Sequence, residues 1–201
     1  MDNTISMETP LSAANEQRQI REKVAIPLLW VAMVSMVMLF GACTSAYIVS
    51  RGAGKWIHFE LPQLFYVSTA VLIISSVTMN WTLSSARKND FKGMKISSLI
   101  TLLLGFTFVI CQFQAWGVLV DQKVFFAGSD SNAGGSFMYI LTGLHLAHLV
   151  FGIGAVLVVW IKSRLQRYNS ENLLGIRLCA IFWHFLDALW IFLFLFLLFV
   201  R

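Results

Sequence analysis

Charge is scarce in this sequence. Asp, Glu, Lys and Arg make up 12% of its 201 residues, while 58% are hydrophobic. A soluble domain carries about 25% charged residues. Half that share cannot cover a water-exposed globule, so a bilayer is the expected solvent. Acids are scarcer still inside the apolar runs: of ten Asp and Glu, only Asp187 falls within one. Cysteine is equally sparse. Cys43, Cys111 and Cys179 are odd in number and lie far apart, each in an apolar run. Their spacing supports neither a disulfide framework nor a metal site, and each reads as a reduced, apolar-behaving thiol. No Gly-rich phosphate loop appears, which argues against a nucleotide site. The polar first 25 residues lack a basic start followed by an apolar core, so they do not read as a cleaved signal peptide.

What the chain does have is five long apolar runs: 26–50, 62–86, 94–120, 136–161 and 174–200. A helix that crosses the ~30 Å hydrocarbon layer needs about 20 such residues. Barrel strands would alternate in polarity, and these runs do not. The expected fold class is an all-α integral membrane protein, a bundle of five transmembrane helices. Residues 1–25 form a polar arm, in which "NEQRQIREK" (15–23) reads as a short surface helix, and residues 26–201 form one membrane domain. Lys and Arg set the orientation. Eleven of them (Arg18, Arg21, Lys23, Arg87, Lys88, Lys92, Lys95, Lys162, Arg164, Arg167, Arg177) fall on one side and four (Arg51, Lys55, Lys123, Arg201) on the other. The N-terminus is therefore expected in the cytoplasm and the C-terminus outside. The net charge of +5 follows from that topology and from anionic lipid, with no need of a nucleic-acid partner. The connections leave no room for a soluble catalytic module. Five crossings do not divide into equal inverted halves, which counts against the common transporter plan.

Ionisable groups within a bilayer are costly and tend to be functional. Here they are His145, His148, His184 and Asp187, with His58 placed in an external loop. His145 and His148 are three apart, as are His184 and Asp187, so each pair shares a helix face. His148 lies 12 residues beyond Ser136 and Asp187 lies 13 beyond Leu174, which puts both near mid-depth. The expectation is a buried polar cluster between the fourth and fifth helices. Three roles fit it: a hydrogen-bonded network that pins two helices, part of a proton route, or ligation of haem or another metal. Two histidines three apart cannot flank one haem, so a bis-His site would pair His145 or His148 with His184. Trp183 and Trp190 lie mid-span, away from the interface where tryptophan collects, which suggests helix packing. Small-residue clusters at 41–46, 75–76 and 152–155 suit close helix contact.

Two stretches carry a resemblance. "TGLHLAHLVFG" (142–152) and "FWHFLDALWIF" (182–192) are similar to the two most recognisable segments of subunit III of the haem–copper oxidases, cytochrome c and quinol oxidases together. The pattern TGxHxxHxxxG is met by Thr142, Gly143, His145, His148 and Gly152. The pattern WHFxDxxW is met by Trp183, His184, Phe185, Asp187 and Trp190. With five spans, the chain resembles the family's five-helix bacterial form. Two departures are Met36 and Ala115, where the family commonly has intramembrane acids, so the roles of those acids do not carry over. The resemblance implies a non-catalytic subunit of the bacterial cytoplasmic membrane, with no catalytic, cofactor-binding or metal residue of its own. Haem and copper would sit in its partners. Those partners would be subunit I by direct contact, subunit II, subunit IV and a larger respiratory supercomplex. Structural phospholipid would lie in a cleft between the first two helices and the remainder, with Thr142, Gly143, Gly152, Trp183, Phe185 and Trp190 in packing or lipid contact. Cytochrome c is favoured over quinol as electron donor. The alternative from another class is a small haem-carrying cytochrome or electron-transfer anchor; a third is a channel or transporter.

Overall fold

The computed structural model describes residues 10–52, 62–124, 126, 133–165 and 173–200. Within them run five helices: α1 (Pro10–Gly52), α2 (Leu64–Arg87), α3 (Phe91–Asp121), α4 (Ala133–Arg164) and α5 (Leu174–Val200). All five are long and apolar enough to cross a membrane, as the five runs predict. One boundary differs markedly. α1 starts at Pro10 instead of near Ile26, so "NEQRQIREK" lies inside a 43-residue helix. Pro27 is also inside it; lacking an N–H, it gives up the bond to the Lys23 carbonyl, which its ring also crowds. His58 falls outside the described residues.

Short polar sequences turn the chain between helices. Asn89 adopts a left-handed φ of 55°, and the amides of Asn89 and Asp90 bond back to the carbonyls of Ala86 and Ser85. This closes α2 with a left-handed cap. Asp90 then starts α3, its Oδ1 accepting from the Gly93 amide at 3.1 Å. A second cap of the same form ends α3: Lys123 has φ 60°, and Lys123 and Val124 donate to the carbonyls of Val120 and Leu119.

Packing follows a seven-residue repeat. α2 buries Phe65, Ser68, Leu72, Ser75, Met79, Thr82 and Ala86, and α5 buries Ile176, Cys179, Trp183, Leu186, Trp190, Leu193 and Leu197. Steps of three and four alternate without a break, the spacing of antiparallel bundles packed at shallow angles. Three hydroxyls and two indoles share those positions with apolar side chains, and His145 of α4 is buried too, while Val67, Ile74, Leu103, Ile110 and Phe151 face out. In lipid this is consistent, since hydrocarbon outside is no less apolar than a core. α2, α3, α4 and α5 form a closed ring in that order, and α1 packs outside it on α4 and α5 alone. Among its described side chains α1 buries a narrow stripe of Met33, Phe40, Thr44 and Tyr47. Its end meets the end of α5, where Arg51 Nη1 donates to the Val200 carbonyl at 2.8 Å.

α2 and α3 are joined by hydroxyls. Thr82 Oγ1 donates to Ser97 Oγ at 2.9 Å, and Thr78 and Thr101 hydroxyls lie 2.8 Å apart. On the other side of the ring the Trp183 indole is wedged between two glycines. A Cβ on Gly105 would stand 3.0 Å from Trp183 Cη2 and 3.2 Å from Ile153 Cγ1, and one on Gly152 would stand 2.9 Å from Leu186 Cδ1. Gly41 and Gly154, by contrast, face open space. Gly105→Val should therefore lower bundle stability by about 1–3 kcal/mol through overpacking. Gly154→Ala should be neutral or slightly stabilising, since alanine is the better helix former. Unfolding in detergent micelles, followed by tryptophan fluorescence, measures both; equal effects at the two positions would contradict the wedge.

Candidate functional site

The motif residues converge on α5 and its neighbour α2. Trp183 Nε1 donates to Ser75 Oγ at 3.1 Å, and Trp190 Nε1 donates to Thr69 Oγ1 at 3.0 Å. The His184 ring meets α2 at both nitrogens: Nδ1 lies 2.7 Å from Ser76 Oγ and Nε2 lies 3.1 Å from Asn80 Oδ1. An amide oxygen can only accept, so Nε2 carries the proton, and Nδ1 of the neutral ring accepts from the Ser76 hydroxyl. As residue numbers fall along α5 they rise along α2, so these contacts are rungs between antiparallel helices. Each of these partners on α2 is a small polar side chain next to its seam, and of the four Asn80 alone is exposed.

The cluster expected between α4 and α5 takes a different form. No hydrogen bond joins any two of His145, His148, His184 and Asp187 among the described residues. The physical reason is angular. Residues three apart on a helix differ by about 60° in direction, enough to send His145 and His148 into different interfaces, while His184 and Asp187 both turn toward Ser76 of α2 instead of α4. His145 points into the ring, wholly buried, against Trp190 (centroids 5.0 Å apart) and Phe108 (6.0 Å). His148 turns toward α1, its ring 5.9 Å from that of Phe40, with Nδ1 2.7 Å from the Leu144 carbonyl of its own helix. His184 faces α2. Asp187 is buried, and neither carboxyl oxygen has a hydrogen-bond partner among the described residues. Ser76, which also meets His184, lies alongside it on α2.

The other motif positions are packing sites. Trp190 stacks on Phe65 at an interplanar angle of 12° and meets Phe108 edge-on. Phe185 is half-buried against the core. Thr142 donates to the Met138 carbonyl at 2.8 Å and accepts from Trp116 Nε1 at 3.1 Å. A Cβ on Gly143 would make ordinary contact, 4.0 Å from Trp116. Met36 is half-buried on α1 and Ala115 is buried in the α3 seam. Cys43, Cys111 and Cys179 are free thiols. Among the described residues, no group of three His, Cys, Asp or Glu side chains could hold a metal ion.

Sequence reading missed the α2 partners Thr69, Ser75, Ser76 and Asn80, and also Gly105. It singled out 75–76 only as small residues. It also passed over Gln112, whose side-chain nitrogen and oxygen are both buried without partners, one helical turn from Phe108. α1 makes no contact with α2, which belongs to the ring. A crevice of about 320 Å³ opens between α1, α4 and α5. Leu29, Val158, Val159, Leu178 and Phe182 line it, with Lys162 among them near the end of α4.

The geometry orders two substitutions at the α2/α5 seam. Ser76→Ala removes the donor to a half-buried imidazole and should cost about 1 kcal/mol. Asp187→Asn supplies an N–H₂ that the Ser76 oxygen can accept, and should leave stability unchanged or raised. The same unfolding assay compares them. A greater loss from Asp187→Asn than from Ser76→Ala would overturn the assignment of hydrogens around Ser76.

Residues 29–200 match the family model described as cytochrome c oxidase subunit III. The chain is 30% identical over 175 residues to the cytochrome c oxidase subunit 3 of Thermostichus vulcanus, covering 83% of this chain and 82% of that one. It is 30% identical over 169 residues to the quinol oxidase subunit 3 of Bacillus subtilis (82% and 81% covered). It is 31% identical over 180 residues to a probable cytochrome c oxidase subunit 3 of Nocardia farcinica (87% and 86%). Both donor names occur among relatives of equal similarity, so similarity alone does not separate them. The match spans all five helices and both motifs, and the chain belongs to the subunit III family of the haem–copper oxidases.

Proposed function

We propose that this chain is the non-catalytic subunit of a bacterial terminal oxidase that reduces oxygen to water and pumps protons. Its work is to hold subunit I, to seat structural phospholipid and to prolong turnover. The observation that carries the reading is the divergence of the three imidazoles. His145 turns to α3 and α5, His148 to α1, and His184 to α2. Both nitrogens of His184 are engaged by α2 side chains. A bis-His haem would need His184 free and turned toward α4, so the small-cytochrome alternative loses its ligand pair. The same side chains serve well as fasteners between helices.

The orientation follows the distribution of Lys and Arg, with the N-terminus in the cytoplasm and the C-terminus outside. On that orientation the crevice beside Lys162 opens toward the cytoplasmic leaflet, where its apolar wall suits an acyl chain and its lysine suits a phosphate headgroup. Cytochrome c is the donor favoured here. The absent acids at Met36 and Ala115 leave these helices without their relatives' carboxylates, so lipid contact in this chain rests on apolar surface and on Lys162.

Preparing the oxidase with and without this chain tests the proposal. Haem and copper per subunit I should be unchanged, and early oxygen consumption near that of the intact enzyme. The chain-free enzyme should lose activity sooner during sustained turnover. A fall in haem content in proportion to the chain lost would refute the reading.

A further inference from the structure

Resting on the reading of this chain as an oxidase subunit, we propose that the face of α2 and α5 around Asn80 and His184 docks a transmembrane helix of a neighbouring subunit. The Asn80 carboxamide donates a hydrogen bond to it. Asn80 is exposed although it lies within a membrane span. It stands seven residues before Arg87, the end of α2, a distance of about 10 Å. α2 has 24 residues and spans about 36 Å against ~30 Å of hydrocarbon, so Asn80 sits roughly 7 Å below the surface of that layer. Its short side chain cannot reach the interface as lysine does.

The direction of the hydrogen bonds sharpens this. Asn80 Oδ1 accepts from His184 Nε2, which turns the N–H₂ outward. No acceptor for that group is present among the described residues. Acyl chains offer none at this depth, and an unmet polar group in hydrocarbon is costly. A helix from another subunit can supply one, as a backbone carbonyl freed at a kink or as a Ser, Thr, Asn or Asp side chain.

The surroundings fit a helix. α1 packs on α4 and α5 and touches neither α2 nor α3, so it leaves this side of the ring open. Exposed Ile73 lies two turns from Asn80 on the same side of α2, and Leu195 flanks the face on α5. Ala188, one turn beyond His184, is also exposed, and a small residue there admits the backbone of a partner closely.

Photocrosslinking in the assembled oxidase tests the proposal with Asn80 and His184 intact. Benzoylphenylalanine at Ile73 should capture another oxidase subunit, and at Leu103, on the outer face of α3, it should not. Capture of a second copy of this chain, capture of lipid alone, or equal capture from both positions would overturn the docking face. In each case the chain would still co-purify, so its membership of the oxidase would stand. Failure to co-purify would instead refute the proposed function. Asn80→Leu adds a second measure: it should speed loss of the chain in detergent about threefold to tenfold, and Leu103→Ala should not. Unchanged retention of Asn80→Leu would count against the hydrogen bond.

Discussion

Two indole N–H groups hold this bundle in register. In a bilayer the hydrophobic effect does not distinguish a helix face turned inward from one turned to lipid, so association rests on close packing and hydrogen bonds. Trp183 and Trp190 supply both. Each fills a large volume in the ring, and each donates to a hydroxyl of α2 two turns from the other. Sliding α5 along α2 by one turn would break both bonds and drive the Trp183 ring out of its place between Gly105 and Gly152. The glycines, the hydroxyls and the indoles therefore depend on one another.

The polar groups inside the ring form a gradient of satisfaction. The α2–α3 hydroxyls are fully engaged, and the His184 ring is engaged at both nitrogens. Gln112, His145 and Asp187 have no partner among the described residues. Such groups are paired or hydrated in folded proteins. The engaged groups hold the helices, and the unengaged ones mark where the interior stays polar.

The five spans and the residues of both motifs were legible in the sequence because length and residue identity survive without coordinates. The start of α1 was not: a polar stretch ahead of Pro27 reads as a break, yet the helix runs through the proline from Pro10. Partners were harder still. His184 and Asp187 share a face with respect to their own helix, and sequence order made α4 the natural neighbour. α5 also borders α2, and serines and threonines on α2 are too common to single out as acceptors. The three-residue spacing of His145 and His148 predicted shared burial, but the angle between them directs one to α3 and α5 and the other to α1. Gly105 belongs to no motif and shows its role only beside the Trp183 ring.

Asp90 belongs to two helices at once, closing α2 through its amide and opening α3 through its carboxylate. That joint makes α2 and α3 a hairpin whose hydroxyl contacts form between segments adjacent in the chain. Such a hairpin has little loop entropy to overcome and can form before α5 has been synthesised. The acceptors for both indoles would then be displayed on a finished surface when α5 enters the membrane, so the order of translation is also a sensible order of assembly.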